Sequence, residues 1–147
     1  MAEALLDTNV LIAALVERHP HHEASLPLVG PGVHKRFAVA AHCYAEAYSH
    51  LTRRGPSAAF QWSPDDARLS LASIANHAEL VGLSPAQTLN ALHAYASNGG
   101  IGARLYDWLI GEAAIQSGIG TIITWNFGHF SSLFPRLVVV TPAQALA

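Results

Sequence analysis

Ala4-Leu5-Leu6-Asp7-Thr8-Asn9 runs without a break into a second apolar stretch, Val10 to Val16. The leading apolar residues read as a buried strand. The spacing of Leu11, Ala14 and Leu15 reads as one face of a helix. Asp7 sits at the joint between the two. A carboxylate at the end of a buried strand is costly to desolvate unless something uses its charge. The joint is therefore the first unit of the fold and also its first functional clue.

Outward from this unit, strands and helices alternate. Strand one is expected over Ala2 to Leu6, and the first helix over Asn9 to Arg18, broken by Pro20. A short amphipathic helix is expected from His21 to Val29, ended by Gly30-Pro31-Gly32. Phe37-Ala38-Val39-Ala40 reads as strand two. The helix from His42 to Arg53 carries arginines at its end, which suit the negative pole of its dipole, and Gly55 stops it. Ser63-Pro64-Asp65-Asp66 starts a helix reaching Asn76, with a hydroxyl cap, a proline in the first turn and then acids. Ala78 to Val81 is strand three. Ser84-Pro85-Ala86-Gln87 repeats the start signal, with Gln87 placed for a capping box, and that helix ends near Gly99-Gly100. A last long helix spans Ala103 to Ser117. Thr121-Ile122-Ile123-Thr124 and Leu137-Val138-Val139-Val140 are the clearest strands, β-branched and unalternated as buried parallel strands are.

This alternation predicts an α/β fold, a three-layer α/β/α arrangement with a parallel sheet of four to five strands flanked by helices. Its 147 residues suit one domain spanning 1–147. With 51% hydrophobic and 12% charged residues the chain is built to fold. A net charge of −2 gives no global basic field, so any nucleic-acid contact must come from a local patch. The single cysteine, Cys43, excludes an intrachain disulfide and a cysteine-built zinc site, and reads as a small buried hydrophobe. Met-Ala-Glu-Ala lacks the basic start of a secretory signal, and no uncharged stretch is free of Gly, Pro or polar breaks. The expectation is a soluble, cytoplasmic protein without membrane contact.

In open sheets of this kind ligands collect where strands end and their helices begin. Asp7 and the segment after Thr124 both fall there. Two further acids stand alone in apolar helical surroundings, Glu46 in Ala45-Glu46-Ala47-Tyr48 and Asp107 in Leu105-Tyr106-Asp107-Trp108-Leu109. His50 and Arg53 share Glu46's face, and Arg104 and Gly111 share that of Asp107. If the three acids converge, they repel one another and at least one pKa rises unless a cation intervenes. All-oxygen ligation suits Mg²⁺, with Mn²⁺ as a substitute, rather than zinc. A divalent ion with few protein ligands points to phosphodiester hydrolysis, activating water and neutralising charge on the phosphate.

Four blocks carry a family resemblance: Leu5-Leu6-Asp7-Thr8-Asn9-Val10-Leu11-Ile12, Ala45-Glu46, Tyr106-Asp107-Trp108-Leu109-Ile110, and Thr124-Trp125-Asn126-Phe127-Gly128-His129-Phe130. In order and spacing they resemble the blocks of PIN-domain nucleases, and among those the VapC-type toxins of toxin–antitoxin pairs. The resemblance spans essentially the whole chain. It implies a Mg²⁺-dependent endoribonuclease on a doubly wound sheet, a homodimer, an RNA substrate, and inhibition by a cognate VapB-like antitoxin. Asp7, Glu46 and Asp107 match the family's acidic catalytic and metal-site residues. Asn126 stands where many members carry a fourth acid, and His129 where an Asp-Phe pair is common. An amide can bind water or metal through its oxygen but adds no negative charge. Thr8, Asn9 and Thr124 are expected to hold a carboxylate or metal-bound water by hydrogen bonds.

Each of these residues also has a plainer role open to it. Asp7 can cap the first helix. Glu46 can sit on a solvated face. Asp107 can pair with Arg104, a contact worth roughly 0.2–0.5 kcal/mol when exposed. His129 and Asn126 can shape the turn after the fourth strand. Trp62 and Trp125 can pack or stack on bases. Arg53, Arg54, Arg104 and Lys35 can line a phosphate or simply solvate helices. Two rival functions differ more. A phosphatase of the haloacid-dehalogenase type wants a second Asp where Asn9 stands and a lysine near the site, yet Lys35 is the chain's only lysine. A PIN-like fold kept for binding RNA or protein would be supported by Asn126. Arg36 and His42 have the spacing of another ribonuclease family's Arg-His pair, but a strand lies between them.

Overall fold

The structure is a computed structural model and describes residues 1–146. The chain runs β1 (Ala4–Leu6), α1 (Thr8–Leu15), α2 (His22–Ser25), β2 (Phe37–Ala40), α3 (Ala41–Thr52), α4 (Pro64–Ala75), β3 (Glu79–Val81), α5 (Pro85–Ser97), α6 (Arg104–Gln116), β4 (Thr121–Ile123), α7 (Phe127–Leu133), β5 (Val138–Val140) and α8 (Pro142–Ala145). The five strands pair in parallel in the order β3-β2-β1-β4-β5, the α/β class read from the sequence.

That order follows from connection handedness. Right-handed crossovers place α1 to α4 on one face as the chain steps outward from β1 to β3, and α5 to α7 on the other once it returns to β4. Packing agrees, with α1 against α3, α3 against α4, α5 against α6, and α6 against α7. Central strands must then be apolar on both sides. Leu5, Leu6, Ala38, Val39, Ala40 and Ile122 are fully buried, each large side chain contributing about 1.5–3 kcal/mol. Outer β3 is only partly covered, with Leu80 exposed.

Helix starts obey their local signals. Ser63 Oγ caps α4 through Asp66 N, and Ser84 with Gln87 forms the full capping box of α5. Gly118 takes a positive φ of 73° just past α6, where a side chain would be strained. Three expectations need correcting. Helix α1 ends at Leu15 rather than Arg18, because Val16 is already extended. The expected helix over His21 to Val29 is one short turn followed by a 3₁₀ turn, Leu26–Leu28, because Pro27 cannot continue the α-helical ladder. The segment after β4, read as a turn, contains helix α7, anchored by the fully buried Phe130.

β1 lies between β2 and β4, and the chain steps away from it in opposite directions on its two sides. The crevice of such a sheet opens at the strand ends beside this reversal. Leu6 pairs with Val39 on one side and Ile123 on the other, so Asp7 and Thr124 leave the sheet side by side.

Candidate metal centre

Asp7 is 4% exposed and fully engaged by its neighbours. Its Oδ1 accepts from Thr8 N at 2.7 Å, and its Oδ2 accepts from Thr124 Oγ1 at 2.8 Å. It therefore does cap α1, and capping leaves it at the crevice. Thr124, also buried, accepts in turn from Asn126 N at 2.9 Å and Asn9 Nδ2 at 3.2 Å. Asn9 Oδ1 accepts from Trp125 N at 3.2 Å. The Thr8 amide and the side chains of Asn9 and Thr124 thus tie the ends of β1 and β4 together around one carboxylate.

Glu46 projects from α3 on one face of the sheet and Asp107 from the first turn of α6 on the other. With Asp7 they line one cavity of about 260 Å³, whose wall includes Thr8, Asn9, Asn126 and His50. Acids separated by about a hundred positions in the chain therefore meet at the crevice. They stand around the cavity rather than touching: among the described residues no three His, Cys, Asp or Glu side chains are close enough to hold an ion as placed.

Electrostatics follow from this placement. Burial pushes the Asp7 carboxyl up to about 6, Asp107 and Glu46 add to the rise, and the hydrogen bonds from Thr124 and Thr8 oppose it. Asp107 is also raised, chiefly by burial, with Glu46 adding to the rise and His129 and Arg104 opposing it. The Oε1 atom of Glu46 and the hydroxyl of Thr8 are buried without a hydrogen-bond partner. Unmet acceptors and raised carboxyls in one cavity are what a bound divalent cation would relieve. Oxygen donors spaced around a cavity of this size fit Mg²⁺, which keeps several of its waters.

Several residues depart from their sequence reading. Asp107 is paired with His129 Nδ1 at 3.2 Å, while Arg104 reaches Ser132 Oγ at 3.4 Å. His129 thus does more than shape a turn. Arg53 contacts Nδ1 of the cavity-lining His50 at 3.2 Å, whereas Arg54 is tied to the carbonyl of Trp62 at 2.9 Å. Lys35 bonds the carbonyl of Ala78 at the opposite end of the sheet, so the four cations do not form one patch. Trp125 donates from Nε1 to buried Ser25 at 2.9 Å and stacks on His21, centroids 3.7 Å apart. Arg36 pairs with Glu3 at 2.8 Å before β2 and His42 follows β2, so the strand keeps them from sharing a site. Ile12 also lines the cavity, and His42, read from the sequence only in its spacing to Arg36, lies 3.3 Å from Glu46. His42 lies one helical turn before Glu46, the same spacing that marks His50 one turn after it.

The arrangement is an acid-lined crevice beside the central strand of a parallel α/β sheet. Residues 4–129 match the family model of the PIN domain, and the chain belongs to that family. Among solved structures it is similar to DNA-bound VapBC from Salmonella typhimurium, at 16% identity and TM-score 0.67, covering 97% of this chain and 99% of that one. It is also similar to Mycobacterium tuberculosis VapC20, a sarcin-ricin loop cleaving toxin, at 14% identity and TM-score 0.65, covering 88% and 94%. VapBC2 from Rickettsia felis, bound to a DNA fragment from its promoter, matches at 18% identity and TM-score 0.62, covering 94% and 97%. No curated protein sequence matches the chain. Among the described residues no helix is long and apolar enough to cross a membrane.

Proposed function

We propose that the chain is a Mg²⁺-dependent endoribonuclease, the toxin of a VapBC-type pair, with Asp7, Glu46 and Asp107 as its metal-binding acids. The observation that carries this reading is their meeting in one cavity, with Asp7 buried and raised to about 6 and a Glu46 oxygen unpartnered. RNA is the substrate class because the family is one of nucleases and VapC20, which shares the fold, cleaves the sarcin-ricin loop. A cognate VapB-like antitoxin is the proposed partner, since neighbours of the same fold are VapBC assemblies.

A divalent ion held by the three acids would neutralise the scissile phosphate and lower the pKa of the attacking water. Mn²⁺ would serve in place of Mg²⁺. The chain's own residues do the rest. Thr124 and the Thr8 amide fix both oxygens of Asp7, so the buried carboxylate cannot rotate away. Asn126 presents a neutral amide to the cavity in the place of a fourth acid, leaving the pocket one charge lower. Arg104, which acts on the Asp107 carboxyl, and Arg53, against the cavity-lining His50, are the cations proposed to meet phosphates flanking the cut. Arg54 is not, because the Trp62 carbonyl already takes it.

Cleavage of single-stranded and structured RNA, with Mg²⁺ and with EDTA, tests the reading. Asp7→Ala is expected to lower the rate by about 10²-fold or more, the loss that follows removal of a major electrostatic contact. Cutting that persists in EDTA would exclude the mechanism. Asn126 supports a second reading, a catalytically weakened RNA- or protein-binding module, which predicts RNA retention with no cleavage at any metal concentration.

A further inference from the structure

Two of the unpartnered buried atoms face each other. His42 Nε2 and Glu46 Oε1 lie 3.3 Å apart across one turn of α3, and neither has a hydrogen-bond partner. The distance is that of a pair, but the alignment falls short of a hydrogen bond. Glu46 lines the acid cavity. His42 lines a neighbouring cavity of about 190 Å³, together with Leu83, Thr88 and Leu109. Both cavities open on the rim where the strands end, and the His42–Glu46 contact stands between them.

We propose that His42 is a positioning residue for Glu46, holding its carboxylate toward the acid cavity so that it can ligate the cation. The inference rests on the metal-centre reading above. The imidazole acts in two ways. Its ring fills the space into which the Glu46 side chain would otherwise swing, toward the second cavity. In the tautomer protonated on Nε2 the ring also presents a donor 3.3 Å from Oε1, and a small rotation completes a hydrogen bond that leaves the other carboxylate oxygen free for the ion. Groups that orient a metal ligand in this way typically change metal affinity by about 10–100-fold when removed. A histidine that only filled space would be replaced by an apolar side chain of similar size without effect on the ion.

Calorimetric titration of the full chain with MnCl₂, with no RNA present, tests this. His42→Leu, which keeps the bulk and loses the donor, is expected to weaken Mn²⁺ binding by about 10–100-fold. His42→Gln, which keeps a donor at one helical turn, is expected to stay within about threefold of the unsubstituted chain. Melting of the metal-free proteins checks that both variants fold, and His42→Met takes the place of the leucine variant should that one fail. Wild-type affinity in the apolar variant overturns the proposal, as does equal weakening in the apolar and glutamine variants. If the unsubstituted chain itself binds no Mn²⁺, the metal-centre reading falls instead, a result distinct from either of those.

Discussion

Asp7 is held where an ionised carboxyl is least comfortable, and its pH behaviour follows. Its folded-state value of about 6 lies above the ordinary 3.8. The protonated form is therefore favoured by folding. The stability it carries is complete below about pH 3.8 and is lost as pH rises through about 6. A rise of about 2 pH units corresponds to about 3 kcal/mol at neutral pH. Asp7→Asn is expected to stabilise the metal-free protein against urea at pH 7.5, with the gain shrinking toward zero near pH 4. Unfolding in EDTA across that range measures it, and a gain independent of pH would contradict the assignment. Asp7 was legible in the sequence because its apolar neighbours left it no other company. Thr124 was legible as a residue expected to hold a carboxylate or a metal-bound water, but not which one, since the 2.8 Å bond to Asp7 joins residues 117 positions apart.

The elements that carry the other two acids are positioned by packing. Helix α6 lies against the segment that follows α7, and Gly111 makes the approach possible. A Cβ built there would come within 2.1 Å of the buried Phe134 ring, which also stacks on Trp108 at 4.8 Å. Gly111→Ala would gain about 1 kcal/mol of helix propensity. The clash dominates because the ring is enclosed and has nowhere to turn. A net loss of about 1–3 kcal/mol is expected in urea unfolding, and unchanged stability would show that the ring yields. Elements with strong local signals were readable in advance: the capping box of α5 and the β-branched strands β4 and β5 stand where the sequence places them. Helix α7 was not, because Phe127–Leu133 contains Gly128 and two serines and is held by tertiary contacts of Phe130. Helix α8 was missed for a different reason. Thr141-Pro142-Ala143-Gln144 carries the same box as Ser84-Pro85-Ala86-Gln87, and the signal went unread.

At the scale of the molecule, the parallel order β3-β2-β1-β4-β5 brings one acid from the central strand and one from each helical layer to a single crevice. A homodimer is expected from the family resemblance. Chromatography with total mass at high micromolar concentration checks it, a strictly monomeric chain being the contrary result. The sequence by itself determined the α/β class and, through its four ordered blocks, the family, and it marked the three acids as candidates, because apolar periodicity, capping residues and isolated charges are local properties that survive in one dimension. Only the tertiary structure decided which partners those acids have. It gave His129 to Asp107 and Thr124 to Asp7, and it withdrew Arg54 and Lys35 from the site. The reason is physical: the pairings of Asp7 and Asp107 and the separation of the cations depend on how strands register and helices cross, and no local preference encodes those distances.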